Sequence, residues 1–450
     1  MTGHQASPAH AELPAPAAAT ARPHDPAGHH AIGRRRAALL LAAAAQKKTA
    51  LYAPVLLGAA AAAVLALALP AMASPITGHD ATSTVSISPI LSAGDIVTGV
   101  RGTTNGDVIL TGSHATGMQK NTLPFLYQGP LTGAAEDSGF HALTPPFAGF
   151  ETGTFYGPDT STYNPDSIPA GQVRAVGSYR TSPDKGVLNH GMIYLGPVSG
   201  GGTWTTIDVP ADGSNTVGGV RACPPDQPGC MVMDTIAHST MGNLVVGNYD
   251  LNLGHGVSGN AFIYNMTTHQ WTVLQLGGSL SSQTTLYGIW QNGGPGSPNY
   301  TLAGGSAAHG SSPSGAQRAF LMNYNERTGR FGKPRFYSYG NAPALVTHFD
   351  GITAVPGGFN LVAISSAQAS SLAFIPATGS NWPLFGKATW YPIDVAASPL
   401  CTALPATSCN MVTGNTVYQN QVMGLYVQQQ QSDSGSVSVP GTYLATVPTP

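Results

Sequence analysis

The chain has 450 residues, with 56 glycines, 36 prolines, only 8% charged residues and a formal net charge of −2. Glycine and proline at that density exclude a helical bundle or coiled coil, and after residue 75 no segment keeps a 3.6-residue apolar period for the length of a helix. The lack of a basic excess excludes nucleic acid as a partner and argues against an anionic membrane surface.

Residues 1–73 read as a leader. A polar stretch rich in Pro, Ala and His leads through Arg34-Arg35-Arg36 and Lys47-Lys48 into an apolar run from Leu51 to Ala73, closed by Ala71-Met72-Ala73. A basic flank, an apolar core and a small-x-small site describe a secretory signal peptide. The alternative is a retained membrane anchor, since the apolar run is 23 residues long. Without the leader, residues 74–450 carry 12 positive and 18 negative side chains. So sparse a charge leaves a surface of Ser, Thr, Asn, Gln and Gly, suited to sugars and other neutral ligands.

From residue 83 onward the chain reads as strands. An alternating segment, Ser83-Thr84-Val85-Ser86-Ile87-Ser88, stands alone before six units that share four ordered signals. A strand opening on small residues comes first, as in Val97-Thr98-Gly99-Val100 and Tyr287-Gly288-Ile289. A Gly-ended apolar run follows: Val108–Gly112, Val173–Gly177, Leu244–Gly247 and Tyr300–Gly304, with weaker copies at Leu361–Ile364 and Val422–Leu425. The third signal begins at Phe125, Met192, Phe262, Phe320, Phe374 and Tyr443, at spacings of 67, 70, 58, 54 and 69 residues. The fourth is a Trp-led run, clearest at Trp204, Trp271 and Trp390. Four short strands repeated six times predict an all-β, six-bladed β-propeller of four-stranded antiparallel blades over residues 74–450. The sixth unit offers three strands before the chain ends, so the segment 83–88 is expected to close the ring beside Gly441–Val447.

Cys223 with Cys230 and Cys401 with Cys409 bracket short loops at equivalent places in two units, each between an Ile-Asp-Val and a Met-Val segment. An even count and local spacing predict two loop-stapling disulfides in an oxidising compartment, rather than a four-Cys zinc site.

The stretch Leu274–Ser279, Tyr287-Gly288-Ile289, Leu302–Gly305 and Arg318-Ala319-Phe320-Leu321 resembles the HAF-repeat family of bacterial extracellular proteins, over residues 240–376. Asn260, Arg318 and Leu372 replace the histidine of that family's repeat. The resemblance implies a secreted repeat protein and brings no catalytic residues.

Spellings of common enzyme sites are absent or misplaced. Gly254–Gly259 matches G-x-G-x-x-G but joins two antiparallel strands, and neither G-x-S-x-G nor H-E-x-x-H occurs. Glu151, Asp234, His238, His348 and Asp350 fall in or beside the innermost strand of a unit, the strand that lines a propeller axis, and Tyr287 joins them. Asp350 and His348 are two residues apart, on one side of a strand, and with Glu151 form a candidate catalytic set; Asp234, His238 and Tyr287 are candidate binding residues. A hydrogen-bonded pair filling a polar channel, without turnover, is the competing account. His114, His190, His255 and His309 fall between second and third strands of the first four units, at offsets too irregular to hold a metal. The expected function is a secreted, monomeric binding or surface-interaction module for glycans or neutral ligands, without a cofactor, located extracellularly, at the cell surface or in the periplasm. The alternative is a secreted lyase or hydrolase at the channel mouth; convergence of three or more of the six axial residues favours it.

Overall fold

Six sheets form, one per repeat unit. The computed structural model describes residues 85–448, except 93, 117–120, 132–138, 183–186, 253–256, 277–282, 308–316, 343–344, 346, 396–397, 403–408 and 433–434. The leader, His255 and His309 lie outside the described residues. Strand β1 (Ser86–Ile90) precedes blade 1, which is β2 (Asp95–Gly102), β3 (Val108–Ala115), β4 (Thr122–Gly129) and β5 (Phe140–Ala142). Blade 2 is β6 (Phe150–Thr160), β7 (Val173–Thr181), β8 (His190–Gly196) and β9 (Thr203–Ile207). Blade 3 is β10 (Met231–Met241), β11 (Leu244–Asn252), β12 (Val257–Asn265) and β13 (Gln270–Leu274).

Blades 4 and 5 each split the outer strand in two. Blade 4 is β14 (Thr284–Asn292), β15 (Asn299–Ser306), β16 (Arg318–Asn325), with β17 (Arg330–Phe331) and β18 (Arg335–Tyr337) outside. Blade 5 is β19 (Thr347–Val355), β20 (Gly358–Ser365), β21 (Ser371–Thr378), with β22 (Leu384–Phe385) and β23 (Thr389–Pro392) outside. Blade 6 is β24 (Cys409–Tyr418), β25 (Gln421–Ser432) and β26 (Gly435–Thr446), completed by β1. The inner strands β2, β6, β10, β14, β19 and β24 neighbour one another in that order around the axis, and β2 meets β24. The only α-helical turn among the described residues is Pro399–Thr402. None of their helices is long and apolar enough to cross a membrane.

Ring closure follows the expected pairing. β1 runs antiparallel to β26, with Ser86 opposite Thr446 and Ile90 opposite Thr442. Residues 83 and 84, the start of the expected strand, lie outside the described part.

The core lies between blades, where the third-strand aromatics sink. Phe125, Met192, Phe262, Phe320 and Tyr443 are completely buried, each directly opposite a second-strand glycine: Gly112, Gly177, Gly247, Gly304 and Gly424. Blade 5 departs from the pattern. Its glycine slot holds Ala363, opposite Ser371, so Phe374 is on the expected strand but three residues beyond the expected register, and only half-buried.

Both disulfides form, Cys223–Cys230 and Cys401–Cys409, and the structure has no free cysteine. Each staples the connection entering an inner strand, β10 or β24. Two such bonds fit an oxidising compartment.

Candidate functional site

The glycine opposite each core aromatic has a mechanical cause on the inner strand. Every inner strand carries a β-bulge, and the glycine pairs with the residue just before it. A Cβ on Gly112, Gly177, Gly247, Gly304 or Gly424 would lie 1.9–2.1 Å from an inner-strand carbonyl oxygen. The bulge leaves one residue out of the ladder and re-aims its side chain. At that place in each blade the residue is Thr98, Tyr156, His238, Tyr287, Asp350 or Asn415, and second bulges nearer the start of β6, β10 and β24 leave out Glu151, Met233 and Val412.

Five of the six touch the neighbouring blade around the axis, and Asp350 pairs within its own strand. Thr98 Oγ1 donates to the Phe155 carbonyl of blade 2. The Tyr156 and His238 rings lie 5.0 Å apart, and His238 stands edge-on to Tyr287 at 4.5 Å. Tyr287 meets His348 of blade 5 at 5.5 Å, and Asn415 Nδ2 donates to the Val97 carbonyl of blade 1 at 2.8 Å. His348 Nε2 is 3.4 Å from Asp350 Oδ1. Thus the structure brings together His238, Tyr287, His348 and Asp350 of the sequence candidates.

Asp234 lies one step away, and it reveals a partner that sequence reasoning missed. Asp250, near the end of β11, is directly opposite Asp234 on β10, so two carboxyls share one side of the sheet at cross-strand distance. Asn189 Nδ2 donates to Asp234 Oδ1. Glu151 is on β6 as expected but exposed, and among the described residues no hydrogen bond, ion pair or ring contact joins it to the cluster. The sequence signal that points to the ring is the residue immediately before an inner-strand glycine: Thr98, Tyr156, Tyr287 and Asp350 all hold that place.

Burial in this ring separates the charge states. Desolvation, reinforced by the Asp234 charge, pushes Asp250 up to about 7. Desolvation also raises Asp234, against the pull of Asn189 and Arg180. Like charges on facing residues oppose ionisation, so the Asp234 carboxylate makes the Asp250 proton harder to lose. Burial alone would lower His348, but the charge and hydrogen bond of Asp350 outweigh it and hold the imidazole above its usual value. Tyr287 is raised by burial and then by the charges of Asp350 and Asp250, and stays a hydrogen-bond donor. His348 Nδ1 and Asp350 Oδ2 are buried and have no hydrogen-bond partner among the described residues.

His238 is the acid-sensitive member. Burial drives it down to about 4, against a hydrogen bond of 2.5 Å from Nε2 to Asn248 Oδ1. A histidine lowered in the fold binds its proton more weakly there than when unfolded. Its contribution is therefore complete above the unfolded value of 6.5 and is lost as pH falls from there through about 4. At about 1.4 kcal/mol per pKa unit the loss is about 3 kcal/mol. Denaturant titrations at pH 7 and pH 4 are expected to show the His238→Gln variant losing less stability than wild type over that interval; equal losses would remove His238 from the acid response.

The far end of the axis is spanned. Arg101, at the end of β2 in blade 1, reaches across to the Ile289 carbonyl of blade 4 at 3.4 Å and lies over Trp290 at 5.2 Å and Tyr163 at 6.0 Å. Asp159 sits beneath, 3.8 Å from Arg174.

Of the four histidines between second and third strands, the two among the described residues each pair with an aspartate. His114 pairs with Asp95 at 2.6 Å and His190 with Asp208 at 2.8 Å. Among the described residues no group of three or more His, Cys, Asp or Glu is placed to hold a metal.

No family model matches the chain, and no curated protein matches it. Among solved structures it is similar to an alpha-L-arabinofuranosidase of Fusarium graminearum bound to an iminosugar inhibitor, at 11% identity over 78% of this chain and 97% of that one, with a TM-score of 0.44. An alpha-L-arabinanase of Penicillium chrysogenum complexed with arabinobiose matches at 11% identity over 79% and 95%, with a TM-score of 0.42. A lectin of Aleuria aurantia, in complex with Fucalpha1-6GlcNAc, matches at 12% identity over 77% and 94%, with a TM-score of 0.34. No residue role follows from similarities this distant.

Proposed function

We propose that the axial ring is a binding site for a neutral, hydroxyl-rich ligand of the glycan class, carried by a secreted propeller. The observation that supports this most is the pair of unsatisfied buried atoms, His348 Nδ1 and Asp350 Oδ2. A protonated His348 offers a donor beside the acceptor of Asp350, and a sugar hydroxyl, which both donates and accepts, suits the two together. Tyr156 and Tyr287 are half-buried in the same ring, giving the apolar faces that sugar C–H groups pack against. The carboxyls of Asp234, Asp250 and Asp350 repel uronates, sulfates and phosphates, which leaves neutral sugars. The two disulfides agree with export. The basic, apolar leader and the HAF-like repeats between residues 240 and 376 point the same way.

Calorimetric titration of the exported protein with neutral oligosaccharides tests the reading. Asp350→Ala removes the acceptor and leaves His348 without its counter-ion, and is expected to weaken binding at least about tenfold, equivalent to 1.4 kcal/mol. A protein that takes up no neutral glycan, or an Asp350→Ala variant that binds as wild type does, would remove the axial site from the function.

A further inference from the structure

We propose that the outer edge of blades 4 and 5 is a docking surface for the anionic headgroup layer of a lipid membrane, with Leu384 as the side chain that enters it. The axial ring plays no part in this. Of the 12 lysines and arginines after the leader, five fall in one stretch: Arg327, Arg330, Lys333, Arg335 and Lys387. All five are exposed. The one carboxyl within residues 327–387 is that of Asp350, on an inner strand and paired with His348. The adjoining Glu326 accepts from the Tyr300 hydroxyl at 3.3 Å. The rest of residues 74–450 carries 7 positive and 17 negative side chains. Charge balance over the whole chain, which argues against a membrane surface, averages a basic edge with an acidic remainder.

Packing between the two blades brings the five charges together. Asn323 Nδ2 of β16 donates to the Pro383 carbonyl at 2.9 Å, and the Tyr337 hydroxyl of β18 donates to the Gly386 carbonyl at 3.2 Å. The outer part of blade 4 therefore lies along residues 382–386 of blade 5. Arg330 stacks on Trp382, its guanidinium carbon 5.0 Å from the ring centre, and Arg335 Nη1 donates to the Phe385 carbonyl. Two guanidiniums are thus pinned along this segment on either side of Leu384. Phe385 is buried and packs with Phe359, so strand alternation turns Leu384 outward. At 72% exposure it is the most exposed large apolar side chain among the described residues.

Charge and shape together select the partner. Guanidiniums held in place pair with phosphate oxygens. A soluble anionic polymer would meet them too, but it would leave Leu384 in water. A headgroup layer uses both features: its phosphates meet the cations, an apolar side chain enters the acyl boundary below, and a tryptophan such as Trp382 sits at the interface. The edge does not compete with the axial ring. β16 and β21 run in the same direction as the inner strands β14 and β19, so the turns after them, with Arg327 and Trp382, lie where those inner strands finish. His348 and Asp234 are near the starts of theirs.

Cosedimentation of the whole exported protein with sucrose-loaded vesicles tests the surface. Vesicles of phosphatidylglycerol mixed with phosphatidylcholine are expected to capture it, less so as salt rises, and vesicles of phosphatidylcholine alone are not. A basic residue close to an anionic surface is worth about fivefold in affinity. Arg330→Glu and Arg335→Glu should therefore each weaken capture at least about fivefold, while Arg221→Glu, an exposed arginine outside the edge, should not. Lys333→Glu with Lys387→Glu reverses charge without touching the Trp382 and Phe385 contacts, and should weaken capture with an unchanged thermal melt. Leu384→Ser is expected to cost about tenfold through lost apolar burial and to keep the salt dependence. No capture by anionic vesicles, equal capture by both kinds, or an Arg221→Glu variant as weak as Arg330→Glu would overturn the docking surface. Capture left unchanged by Leu384→Ser would overturn entry into the headgroup layer; retention on heparin that depends on Arg330 would then assign the edge to a soluble anionic polymer instead.

Discussion

Replacing Gly247 or Gly304 by alanine is expected to destabilise the propeller strongly. The added Cβ would stand 2.0 Å from the Ile236 carbonyl oxygen in the first case and 1.9 Å from that of Thr285 in the second. Backbone is the obstacle, and it belongs to a bulge whose position the axial ring depends on, so no side-chain rotation relieves the contact. Phe262 and Phe320, directly opposite and completely buried, block retreat in the other direction. Overpacking of a filled core costs up to about 3 kcal/mol, and occasionally more. In thermal melts this corresponds to a fall of roughly 10 °C, on the scale for domains of some 200 residues. Ala363→Gly is the matched control, because blade 5 already accommodates a Cβ in that slot opposite the small Ser371. Its cost is expected at about 1 kcal/mol or less, the usual difference between Ala and Gly in regular structure. Equal melting of Gly247→Ala and wild type would show that the bulge yields.

The same glycines explain how much of this protein was legible in its sequence. A four-signal repeat fixes blade number because each signal is a period-2 strand bounded by turn residues, and that pattern needs no tertiary information. Disulfide pairing was legible for a similar reason: Cys223 and Cys230 are neighbours in the chain, and so are Cys401 and Cys409. The closing strand was legible as a deficit in the last unit. The site was only partly legible. Sequence placed His238, Tyr287, His348 and Asp350 on inner strands, but a bulge is a slip in register between two strands and appears only when both are in place. Gly112, Gly177, Gly247, Gly304 and Gly424 were visible as the ends of apolar runs, while their meaning, that each faces a bulge whose extra residue turns to the axis, was not.

Three misreadings share that origin. Glu151 has the right strand and is itself left out of the ladder, but by a separate bulge at the start of β6, five residues from Tyr156, where it is exposed. Asp250 was overlooked because it belongs to a second strand, and only cross-strand register sets it opposite Asp234. Phe374 was aligned by its resemblance to other aromatics, whereas register gives that place to Ser371. Each is a fact about pairing between strands, which composition and spacing along one strand do not carry.

Removing residues 86–90 is expected to open the ring and to cost at least as much as the glycine substitutions. β1 is the outermost strand of blade 6 and the only strand of that blade from the start of the fold, so its pairing with β26 joins the two ends of the propeller. Ile90 is 4% exposed and packs with Val97, Val100, Met423 and Leu444, while Ile87 lies against the cluster of Val422, Tyr443 and Val447. Burying Ile90 contributes about 1.5–3 kcal/mol and half-burying Ile87 adds to it, before the ladder hydrogen bonds of five residue pairs are counted. Without β1, strand β26 presents an unpaired apolar edge, which is a template for pairing with other chains. The blade 1 to blade 6 seam would then rest on contacts to the inner strand β2, such as the Asn415 side chain on the Val97 carbonyl and Thr442 Oγ1 of β26 on the Asp95 carbonyl. Melting is therefore expected to fall by on the order of 10 °C, with concentration-dependent aggregation in light scattering. Substituting Ile87 and Ile90 together by Ser keeps the chain length and should reproduce part of the fall. A deletion that melts and scatters as wild type does would mean that blade 6 is held by its inner strand alone and that β1 closes nothing.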